Sequence, residues 1–180
     1  MKAKDLTLGG ICVALTLILL YFTLIFKTNT LTLLTLASFV VPLALMRGNL
    51  RTALLIYISS TLLAFLLLPI NVSLLYGLFF GIYGIIKYFI ERFHNLGVEI
   101  VLKLLFFNLI GALFILFFKA FVDPLLLEKP LLLIARYLPQ LSITLKWTIL
   151  FISFQGIFLV FDYALTLLID YYQQHFSRIR

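Results

Sequence analysis

Six apolar segments, each near the length needed to cross a bilayer, follow one another along these 180 residues with little between them. A hydrocarbon core of about 30 Å takes roughly 20 helical residues to span. A backbone in lipid must satisfy its own hydrogen bonds, which leaves helices and closed barrels as spanning structures. The apolar runs here are continuous rather than alternating, so they read as helices and not as barrel strands. Hydrophobic residues make up 64% of the chain and charged residues 12%, too little polar surface to clothe a soluble domain. The sequence therefore predicts an all-α fold: a polytopic membrane helical bundle of six transmembrane helices, forming a single integral membrane domain over 1–180. No room is left for a separate aqueous catalytic domain.

The spans fall at about 6–26, 31–46, 52–68, 72–90, 100–122 and 147–169. Polar breaks separate them: Lys27 to Thr30, Arg47 to Arg51, the turn at Pro69, and Glu91 to Asn95. Between 123 and 146 the pattern changes, with Pro124, Pro130 and Pro139 punctuating an apolar stretch that also holds Glu128, Lys129 and Arg136. That stretch reads as a loop carrying a short interfacial helix over about 131–138. The first run follows Lys2 and Lys4 as a signal peptide would, but it has no small-residue cleavage site, so it is kept as a helix. Nine of the 14 basic residues fall on the side of the N-terminus: Lys2, Lys4, Arg47, Arg51, Lys87, Arg92, Lys103, Arg178 and Arg180. This bias predicts that both the N-terminus and the C-terminus are cytoplasmic, in a multi-pass protein of the cell membrane.

The net charge of +7 is dispersed among loop ends, which fits membrane topology and anionic lipid rather than nucleic acid. Cys12 is the one cysteine, so an intrachain disulfide is excluded and a packing role is expected. There is no Walker motif. His94 and His175 have no metal-ligand spacing, and no serine sits in a nucleophile-elbow context. No enzyme activity, cofactor or metal is expected.

Gly10 and Ala14, four apart near the start of the first span, put two small residues on one helix face, where another helix can approach closely. Gly77, Gly81 and Gly84 make a similar stripe on the fourth span, read as helix packing. Tyr76, Tyr83 and Lys87 fall on a neighbouring face at i, i+7 and i+11. On the last span Gln155, Asp162 and Thr166 share a face. A carboxylate inside a bilayer costs about 2.5–3.5 kcal/mol on insertion scales and must find a cation or a polar interior. Lys103 and Lys87 lie at similar depth, so Asp162 is expected to form a structural ion pair with one of them.

The six-span layout, the cytoplasmic N-terminus and the small-xxx-small face at Gly10 and Ala14 resemble the S components of energy-coupling factor (ECF) vitamin transporters. Those proteins carry an Ala-x-x-x-Ala motif at this place; here glycine stands for the first alanine, which keeps the surface small. The resemblance implies a substrate-binding membrane subunit that docks through Gly10 and Ala14 on an ECF transmembrane coupling subunit. Uptake would be powered by partner ABC-type ATPases. It further implies a vitamin-like small-molecule substrate in the outward half, with Asn71, Tyr76, Lys119, Trp147 and Gln155 as pocket candidates. The alternative is a non-transporting membrane scaffold of the MreD type, which has a similar layout and binds partners through helix faces.

Overall fold

The computed structural model describes residues 3–47, 49–121, 140 and 142–176. The interfacial helix expected over 131–138 lies outside them, as does the side chain of Lys119. Among the described residues six helices are long and apolar enough to cross a membrane, and the protein is a multi-pass membrane bundle. They are α1 (Ala3–Ile25), α2 (Thr30–Arg47), α3 (Leu50–Leu67), α4 (the continuous span Ile70–Phe93), α5 (Leu96–Phe121) and α6 (Ile143–Phe176). At its 34 residues, α6 is roughly 50 Å long and overshoots the expected span of 147–169 at both ends. Helical hydrogen bonding continues through its polar C-terminal turns because nothing in Tyr171, Tyr172, Gln173 and Gln174 breaks a helix.

The first four helices form the compact part. α1 packs on α2 and α3, and α2 packs in turn on α3 and α4. α4 is the central element: 61% of an 18-residue apolar stretch of it is buried, against 6% of such a stretch in α5 and 11% in α6. Association between helices in lipid rests on close van der Waals contact and hydrogen bonds, since tails are as apolar as leucine. The glycine stripe of α4 supplies that contact. A Cβ on Gly77 would lie 2.9 Å from Thr61 Cγ2, one on Gly81 3.0 Å from Tyr57, and one on Gly84 2.3 Å from the ring of Pro42. Pro42 lies inside α2 and is buried there.

α4 is not uniform. Residues Tyr76–Phe80 form a π-helical turn in which the N–H of Gly81 bonds to the carbonyl of Tyr76. Such a turn adds a residue to the helical phase, so the faces before and after it are rotated relative to each other. Tyr76, Tyr83 and Lys87, which uniform spacing puts on one face, are accordingly divided. Tyr76 is fully buried and shares a 2.8 Å hydrogen bond with Ser60 of α3, whereas Tyr83 and Lys87 turn to α6. The irregular turn is braced by Tyr57, whose hydroxyl donates to the carbonyl of Gly77 at 2.8 Å. Tyr57→Phe is expected to cost about 1 kcal/mol, read as a lower thermal midpoint of the purified protein in detergent.

Candidate functional site

Lys87, on the last full turns of α4, is 1% exposed. Its ammonium donates to Asp162 Oδ1 and to Thr166 Oγ1 (2.8 Å) on α6, and contacts Glu91 Oε1 at 2.8 Å one turn along its own helix. It also reaches the Asp162 carbonyl at 3.3 Å. Lys103 enters from α5, donating to Asp162 Oδ2 at 2.9 Å and to Glu91 Oε1 at 3.0 Å. The hydroxyl of Tyr83 adds a 2.7 Å bond to Asp162 Oδ1. Two ammoniums and two carboxylates thus close a neutral cluster that joins α4, α5 and α6. Asp162 bridges the lysines with one oxygen on each. Burying a charge is tolerable only when it is paired and hydrogen-bonded in this way.

An aromatic cluster adjoins the charges through Tyr83. Phe79 and Tyr83 of α4, Phe106 and Phe107 of α5, and Phe158 and Phe161 of α6 touch one another, with Phe107 and Phe158 stacked at 4.5 Å. These side chains bridge α4, α5 and α6. Glu91, 36% exposed, is the member that meets the outside. It heads the last turn of α4, which ends at His94 with a positive φ of 51°.

Asp162 thus sits between both lysines named from the sequence. Tyr83 and Glu91 belong to the same site but are not foreseen in that role. Their signal is spacing, since Tyr83, Lys87 and Glu91 stand at i, i+4 and i+8 on one face of a helix. A second contact secures the end of α6: Arg47 Nε donates to the hydroxyl of Tyr172, and its guanidinium carbon lies 5.3 Å from that ring's centroid, a cation–π geometry.

Four of the five residues expected to line a pocket, Asn71, Tyr76, Trp147 and Gln155, make no hydrogen bond or ring contact with one another. Tyr76 is buried against α3. Asn71 is exposed at the start of α4, and Trp147 is half exposed near the start of α6. Gln155 pairs with α5 instead, its Nε2 donating to Asn108 Oδ1 at 2.6 Å, while Asn108 donates to the Leu104 carbonyl at 2.8 Å. Gln155 Oε1 is buried without a partner among the described residues. Lys119 falls on α5, its side chain beyond what is described. Among the described residues no group of His, Cys, Asp and Glu side chains could hold a metal ion.

Gly10 and Ala14 are both exposed on α1, in line with exposed Ala3 and Thr7. A Cβ added to Gly10 meets nothing within 4 Å, whereas its neighbour Gly9 faces Ile56 of α3. The small face therefore points away from the bundle. No family model, curated protein or solved structure matches the chain.

Proposed function

We propose that this protein is a membrane subunit that works by docking α1 on a helix of another protein, and that it belongs with the substrate-binding S components of ECF-type importers. The observation that carries the reading is the outward small face of Gly10 and Ala14. Within lipid, a helix gains little by presenting glycine and alanine to acyl chains and much by presenting them to another backbone. On this reading the N-terminus is cytoplasmic, the bundle sits in the cell membrane, and a vitamin-like small molecule is captured from outside. Transport energy comes from ABC-type ATPases held by the coupling subunit. The dispersal of Asn71, Tyr76, Trp147 and Gln155 favours a second reading, a non-transporting scaffold of the MreD type that uses the same face.

Two measurements separate these. Gly10→Leu with Ala14→Leu is expected to abolish copurification with the partner complex from native membranes while leaving the chain folded, because both positions face outward. Assembly that survives the double substitution removes the docking claim. Native mass spectrometry of the wild-type protein then decides the class. A retained small molecule favours the importer subunit, and its repeated absence favours the scaffold.

A further inference from the structure

The charge cluster is neutral only while Glu91 is in it. Without that carboxylate, Lys87 and Lys103 face the single charge of Asp162, leaving a net positive charge in a site where both lysines are nearly inaccessible. The two acids are held very differently. Asp162 engages both oxygens, accepts from Lys87, Lys103 and Tyr83, and is 14% exposed. Glu91 uses Oε1 alone, for both lysines, and stands 36% exposed at the end of its helix. Lys103 has three N–H donors and two acceptors among the described residues, Asp162 and Glu91. Among the described residues, one donor of Lys103, a residue only 6% exposed, is thus left for an oxygen that Glu91, bound through one atom, does not provide.

We propose that Lys87 and Lys103 form an anion-binding cradle at the membrane face, in which the Glu91 carboxylate is an exchangeable occupant. The ligand that replaces it is a phosphate group, whose several oxygens serve both ammoniums and the remaining Lys103 donor at once. The group comes from an anionic phospholipid headgroup or from free phosphate; the chemistry is the same. Glu91 is then a tethered competitor, turning outward when phosphate enters and returning to restore neutrality when it leaves. Asp162 stays in place as the fixed counter-charge.

The test uses the full chain and two variants. Glu91→Gln empties the cradle of its carboxylate. Glu91→Gln with Lys103→Gln removes the cradle but leaves Lys87 and Asp162 balanced, so it keeps a neutral core. In neutral detergent, with chloride holding ionic strength constant, inorganic phosphate is expected to raise the Tm of Glu91→Gln by about 3 °C at saturation. It should leave the double variant unmoved. In micelles containing equimolar phosphatidylglycerol and phosphatidylcholine, native mass spectrometry is expected to show wild type retaining phosphatidylglycerol by about five-fold. That preference disappears in the double variant. A phosphate response alone assigns the free anion, and a lipid preference alone assigns the headgroup. If Glu91→Gln does not fold, the lipid comparison between wild type and double variant decides. Absence of both effects, or equal effects in the double variant, overturns the proposal.

Discussion

Asp162→Asn is expected to be the most damaging single change in the charge cluster, costing about 3–5 kcal/mol because it strips the counter-charge from buried ammoniums. Lys87 and Lys103 would keep only Glu91 between them, and Lys87 would lose its charged partner on α6 while remaining 1% exposed. An asparagine carbonyl can still accept from Tyr83, but it cannot neutralise a lysine. α6 depends on this contact more than its length suggests, since only 11% of an 18-residue apolar stretch of it is buried. For a protein of this size the loss corresponds to roughly 6–20 °C in thermal midpoint, readable by scanning fluorimetry in detergent. Adding Lys103→Gln to Asp162→Asn returns the cluster to neutrality with Lys87 and Glu91 paired, and is expected to recover more than half of the loss. An Asp162→Asn protein as stable as wild type would mean that the aromatic rings, and not the charges, hold α6 to α4.

The bundle was legible because lipid imposes a length on every apolar run, and that constraint is written in consecutive residues. Its edges were less so. The expected last span stops at 169, where apolar residues thin out, yet the helix continues to Phe176 because backbone hydrogen bonding does not end where hydropathy does. The pairing of Asp162 with a lysine follows from the cost of an isolated acid in hydrocarbon. That both lysines share it, and that Glu91 completes the balance, does not follow, because Glu91 reads in sequence as the polar end of a span. The division of Tyr76 from Tyr83 had no sequence signal at all. It depends on the π turn at Tyr76–Phe80, and no local residue pattern separates π from α hydrogen bonding. The outward aim of Gly10 was equally hidden, since small residues four apart describe a face without saying what it meets. Gly77, Gly81 and Gly84 have the same signature, and those turn inward.

That difference in aim makes the same substitution give opposite results at two glycines. Gly84→Ala places a methyl group 2.3 Å from Cγ and 2.7 Å from Cδ of Pro42. The atoms it meets belong to a closed ring that can change pucker but cannot swing aside as an open side chain does, on a residue buried inside α2. Relief therefore requires α2 and α4 to separate, and α4 is the most buried helix of the bundle. Overpacking of this kind costs about 1–3 kcal/mol, and a larger side chain such as leucine is expected to prevent assembly. Gly10→Ala meets no atom within 4 Å and replaces the poorer helix former, so the isolated chain is expected to gain up to about 1 kcal/mol. A double-mutant cycle fixes the cause. In a Pro42→Ala background, where the ring is gone, the penalty of Gly84→Ala should fall below about 0.5 kcal/mol, the level of uncoupled sites. A penalty that persists would place the strain within α4, in its adaptation to the π turn. A loss at Gly10 comparable to that at Gly84 would mean that α1 is packed on that side by a second chain even in the purified protein.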